Sequence, residues 1–188
     1  GEMVMTKDKY DFNDLLEVMK RLRCENGCPW DKKQTHESLR IYLIEETYEV
    51  LEALDAGDTD KFCNELGDLL LQIVFHAQIA DENGKFDIND VTSEICSKLI
   101  SRHPHIFGDA SADTADQVVE NWEAIKKKEK KLDSQTGVLK DVPNNLPALM
   151  RSYKVQQKAA QVGFDWDNTD DVFRKIDEEV EELREVYK

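Results

Sequence analysis

From Cys63 to Ala80 the chain reads CNELGDLLLQIVFHAQIA, with apolar residues at nearly every angle of a helical wheel. A helix with that pattern is buried all round. At about 100° per residue, Glu65, Asp68 and Gln72 fall within roughly 60° of one another, one polar stripe on an apolar rod. Upstream, Phe12, Leu15, Leu16, Met19 and Leu22 repeat at helical spacing and predict a helix over about 11–24. Glu25-Asn26-Gly27-Cys28-Pro29-Trp30-Asp31 then reads as a turn-rich loop with Trp30 as its structural plug. Thr35 is a good N-cap for a second helix over about 36–56, whose core seam is Leu39, Leu43, Thr47, Val50 and Leu54. Gly57-Asp58 breaks it, and the buried helix runs on to about residue 82. Two more helices are predicted, over about 89–102 and about 114–131. His103-Pro104-His105 ends the first of these, because proline disfavours helix at the preceding residue. Nothing alternates at period two for long enough to make a strand. The pattern is all-α, four or five helices made antiparallel by short connections.

Residues 132–145, LDSQTGVLKDVPNN, lack periodicity and read as a linker after a first domain over 1–131. The remaining segment, 146–188, looks like a second copy of the start. Gly27-Cys28-Pro29-Trp30-Asp31 is echoed by Gly163-Phe164-Asp165-Trp166-Asp167, and Glu45-Glu46-x-x-Glu49 by Glu178-Glu179-x-x-Glu182. The second copy is expected to be truncated before any partner to Glu65 and Asp68.

Composition narrows the function. A net charge of −15, from 40 acidic against 25 basic residues, argues against nucleic acid or an anionic membrane as partner. The absence of an apolar run of about 18 residues, and of a signal peptide, predicts a soluble cytoplasmic protein. Cys24, Cys28, Cys63 and Cys96 are scattered and read as reduced, the last two at core-like helical positions. His36, His76, His103 and His105 show no ligand spacing and read as structural.

The chemistry resides in carboxylates. Glu46/Glu49 and Glu65/Asp68 each have i, i+3 spacing, which puts each pair on one helix face. Buried carboxylates are costly unless they are paired or bind a metal. Four of them on two neighbouring helices describe an oxygen cage for a hard dication. Mg²⁺ is the natural choice, because it takes carboxylate oxygens and keeps waters for a phosphate substrate.

EExxE and then ExxD on the next helix, with CPWD upstream and RHPHIF downstream, resembles the MazG family of nucleoside triphosphate pyrophosphohydrolases. The similarity extends through NWExIKKxEK to LPALMRSYKVQQKAAQVGFDW, which opens the family's second domain. The resemblance implies an all-α bundle that dimerises into an intertwined helical assembly. It implies hydrolysis of NTP or dNTP to NMP and pyrophosphate, with Mg²⁺ (Mn²⁺ as its substitute) held by Glu46, Glu49, Glu65 and Asp68. Glu45 is then a support behind the ligands or a helper to the attacking water. Nucleotide-contacting positions in the family are matched, more loosely, by Lys61, by the i, i+4 pair Lys98/Arg102, and by Trp122 with Lys126, a ring to stack a base and a cation for a phosphate. The plainer readings are solvated lysines, an arginine capping its helix and a core tryptophan. The expected role is house-cleaning or limiting an alarmone. The alternative is a weak or inactive dimerisation and regulatory module that binds metal and nucleotide, since two-copy members of the family often keep activity in one copy only.

Overall fold

The computed structural model describes residues 7–129, 135–161 and 163–187. Ten helices form among them and no strand: α1 (Phe12–Arg23), α2 (Pro29–Lys33), α3 (Arg40–Ala56), α4 (Thr59–Glu82), α5 (Ile88–Arg102), α6 (Pro104–Phe107), α7 (Ala115–Glu129), α8 (Gln135–Lys140), α9 (Ala148–Ala160) and α10 (Thr169–Val186). The chain divides into two compact units, Gly1–Leu99 and Ile100–Lys188.

The first unit is built on α4. Its N-terminus is fixed by Asp58, whose carboxylate accepts the Lys61 backbone N–H at 3.0 Å. Gly57 ends α3 with φ +67°, a left-handed conformation that L side chains resist, so the chain reverses directly from α3 into α4. The two helices therefore pack as an antiparallel pair. On another side of α4, α1 lays Leu15, Leu16 and Met19 against Leu71, Val74, Phe75 and Ile79, and Leu39 completes this core. The start of α1 is secured by a capping box, Asp11 accepting from the Asp14 N–H and Asp14 from the Asp11 N–H.

Several expectations change. The loop after α1 contains a five-residue helix, α2, with Pro29 in its first turn. It is docked tightly: a Cβ on Gly27 would sit 2.2 Å from the Leu22 carbonyl oxygen. Trp30 is not a plug; it is 51% exposed and touches Tyr42 edge-on, with 6.0 Å between ring centroids. Thr35 does cap, exchanging hydrogen bonds with Ser38, but what it caps is a turn that leads into α3, which begins at Arg40. The α3 seam is rotated: of its expected members Leu39 is buried and Val50 half-buried, but Leu43, Thr47 and Leu54 are exposed and Ala53 is buried instead. Nor is α4 buried all round, since Leu66, Leu70 and Ile73 face outward. Cys63 and Cys96 are exposed rather than in the core, and all four cysteines are free thiols.

In the second unit, a short helix, α8, forms where a linker was expected. It packs on α9, burying Val142 and bringing Lys158 within 3.9 Å of Asp141. Glu178, Glu179 and Glu182 lie on α10, and Glu45, Glu46 and Glu49 on α3.

Candidate metal centre

The antiparallel pairing of α3 with α4 brings the two acidic motifs face to face. Glu46, Glu49 and Glu65 each present a carboxylate oxygen, and these three oxygens lie within 4.8 Å of one another. Asp68 lies outside that trio but close by, its charge acting on both Glu46 and Glu65. Glu65 is 8% exposed, the one buried carboxylate on α4. Burial comes first in raising its affinity for a proton, then the Glu49 charge, with Asp68 and a hydrogen bond to Glu49 adding to it. Glu46 is likewise raised above the ordinary carboxylate range, by burial and then by Asp68, Glu49 and Glu65. Three oxygens this close hold net negative charge that a proton or a cation must offset. The donor set is all oxygen, anionic and convergent, which fits a hard dication.

Of the other expected residues, Lys61 belongs to this neighbourhood. One turn before Glu65, it pairs with Glu52 at 2.6 Å, and its charge lowers the proton affinity of Glu65. Glu45 is exposed on α3, and its charge is the weakest of those acting on Glu46. Lys98 pairs with Glu94 along α5 at 3.3 Å.

In the second unit, Arg102, Trp122 and Lys126 do come together. The Arg102 guanidinium lies 5.4 Å, and the Lys126 ammonium 5.2 Å, from the Trp122 ring centroid. Arg102 is also held by Glu129, with Nη2 donating at 2.7 Å and Nε at 3.0 Å, while Lys126 lies 3.6 Å from Glu123. Trp122 is only partly buried, and its indole Nε1 has no hydrogen-bond partner among the described residues.

Two further residues stand out in the structure, the first of them not apparent from sequence patterns. Arg23, 6% exposed at its side chain, forks onto Glu82 and donates to the Asp31 and Gln34 carbonyls. Gln72, legible as part of the polar stripe, is buried.

Among the described residues the fold is all-helical, and three carboxylate oxygens converge between two antiparallel helices, a donor set that could hold a divalent cation. The MazG nucleotide pyrophosphohydrolase domain matches residues 34–107, which span that helix pair. The nucleoside triphosphate pyrophosphohydrolase of Escherichia coli (strain K12) is 50% identical over 170 residues, 90% of this chain and 65% of that protein. The nucleoside triphosphate pyrophosphohydrolase/pyrophosphatase MazG of Thermotoga maritima is 49% identical over 177 residues, 93% of this chain and 67% of its own length. The crystal structure of a mazG-related protein from Thermotoga maritima superposes with a TM-score of 0.53 at 28% identity, covering 61% of this chain and 98% of that one. The chain belongs to the MazG family. It spans 65% of the length of its Escherichia coli relative.

Proposed function

We propose that this chain hydrolyses nucleoside triphosphates to nucleoside monophosphate and pyrophosphate, with Mg²⁺ held by Glu46, Glu49, Glu65 and Asp68. The observation that carries this reading is the convergence of three carboxylate oxygens within 4.8 Å between α3 and α4. The names of the relatives supply the reaction class. Water oxygen bonds to the α-phosphorus, the bond from that phosphorus to the α–β bridging oxygen breaks, and the water's proton leaves to a base. When bound, the cation offsets charge on the phosphates and acidifies water.

The chain's own residues do the rest. Exposed on α3 and next to Glu46 in sequence, Glu45 is the candidate to take the water's proton. Lys61 exchanges Glu52 for a phosphate oxygen. In the second unit, Trp122 offers a ring to a base, and Arg102 and Lys126 offer cations to phosphate once they leave Glu129 and Glu123. Lys98 is a further phosphate-binding candidate. Residues 146–188 are read as the start of a second MazG-like domain after a linker over 132–145. The exposed apolar stripes of α3 and α4 fit a homodimer. No helix among the described residues is long and apolar enough to cross a membrane, and we place the protein in the cytoplasm.

The test is release of NMP and pyrophosphate from a panel of NTPs and dNTPs, with and without Mg²⁺. Metal-dependent release is expected, reduced at least about 100-fold by Glu46→Ala or Asp68→Ala. Turnover that survives either substitution would sink the assignment of ligands. Nucleotide and Mg²⁺ binding without turnover would make the chain a regulatory module instead.

A further inference from the structure

On α4, Gln72 comes seven residues after Glu65 and four after Asp68, so the three share one helix face. Gln72 is 6% exposed, and its buried Oε1 has no hydrogen-bond partner among the described residues. A methionine or leucine would fill the same volume without stranding a polar atom. A buried acceptor without a donor is rare enough in folded proteins to require an explanation. Here the explanation lies along the same face, where Asp68 sits one turn and Glu65 two turns before Gln72.

We propose that Gln72 is a positioning residue of the metal centre, its carbonyl accepting a hydrogen bond from a water on the cation; this rests on the proposed metal site. A hard dication in an all-carboxylate site keeps several waters, each carrying two protons that need acceptors. The trio is saturated with negative charge and supplies inner ligands. Gln72 supplies a neutral acceptor that orients a water without adding to that charge. Acceptors that hold a metal's own ligands in place commonly tune affinity by about 10–100-fold.

Mn²⁺ titration monitored by electron paramagnetic resonance of the free ion, on the full chain, reads this without any turnover. The variants are Gln72→Met, which keeps shape and loses the acceptor, Gln72→Glu, which keeps an acceptor, and Glu46→Ala as reference. Gln72→Met is expected to weaken Mn²⁺ binding about 10-fold while its metal-free melting temperature stays level or rises. Gln72→Glu is expected to retain binding. Unchanged Mn²⁺ affinity in Gln72→Met would overturn the proposal, including the case in which nucleotide affinity alone falls, which would assign the amide to the substrate. A lowered metal-free melting temperature together with weaker binding would overturn it too, as the amide would then serve the fold. If the wild type holds Mn²⁺ no better than Glu46→Ala, the metal reading itself fails and takes this one with it.

Discussion

Arg23 shows how much one side chain can organise. It ends α1, yet its partners are Glu82 at the end of α4, 59 residues away, and two carbonyls at α2 and its C-cap. The guanidinium lies over the Phe75 ring, 5.3 Å from its centroid, so one planar cation joins three helices and the core. Arg23→Ala is expected to cost about 2–3 kcal/mol in urea unfolding, because charged hydrogen bonds are lost from a buried position. Arg23→Lys should recover little, since an ammonium cannot fork. The hydrogen bond from Arg23 holds Glu82 below the ordinary carboxylate range, so its contribution is present above about pH 4.5 and is lost as pH falls through the lower folded value. Arg23→Ala should therefore flatten the acid limb of stability. A wild-type acid limb in that variant would show that the pair carries none of it. The convergence of Glu46, Glu49 and Glu65 was legible in the sequence because each motif's spacing is local and the stretch of α4 around Glu65 is otherwise largely apolar. Arg23 was not, because a lysine- and arginine-rich helix end looks alike whether its last cation meets water or a distant glutamate.

Between elements, the join most open to pH is the one between the turn leading into α3 and the middle of α4. His36 and His76 stack with ring centroids 5.1 Å apart and planes 6° from parallel, and their Nδ1 atoms are 2.8 Å apart. One ring must donate and the other accept, so the contact needs at least one neutral imidazole at that nitrogen. Burial, and then the charge of His36, hold His76 below the ordinary imidazole value. The folded state thus takes up its proton later than the unfolded chain. The contact stabilises fully above about pH 6.5, and its contribution is lost as pH falls from there toward the folded value. Urea melts at about pH 7.5, 6.5 and 5.5, spanning the ordinary imidazole value, should show a loss that His76→Gln lacks; parallel profiles would remove the pair from the account. The expectation that these histidines are structural came from the absence of ligand spacing, but their pairing across 40 residues is invisible to any spacing rule. The helices α1, α5 and α7 were visible because a 3.6-residue period repeats in each, and α4 because its long run is apolar at nearly every angle. The helix α2 was hidden, since five residues opened by proline and surrounded by turn formers carry no period.

At the scale of the molecule, the misplaced α3 seam and the incompletely buried α4 have one cause. A helical wheel shows which residues are apolar; it does not show whether the same chain or a second one covers them. Ile41, Ile44, Tyr48, Leu51 and Leu54 on α3 and Leu66, Leu70 and Ile73 on α4 remain exposed, at i, i+3 and i, i+4 spacings that make a stripe on each helix. Fully burying one such side chain contributes roughly 1.5–3 kcal/mol, so completing the burial of these residues on each of two copies can exceed an association cost of about 4–15 kcal/mol. Two antiparallel pairs meeting through these stripes would form a four-helix core. The acidic motifs lie on the same helices, so the rigidity of the metal centre would then depend on the pairing. The double substitution Leu70→Asp/Ile73→Asp places two charges on the α4 stripe, outside the core that α1 covers. Sedimentation at micromolar concentration should give a dimer for the wild type and a monomer for this variant, with helical circular dichroism largely retained and Mn²⁺ affinity reduced. A wild type that sediments as a monomer at that concentration would refute the pairing and leave the stripes to another partner. A monomeric variant that still binds Mn²⁺ at full strength would show that one α3–α4 pair is rigid enough to hold the cation alone.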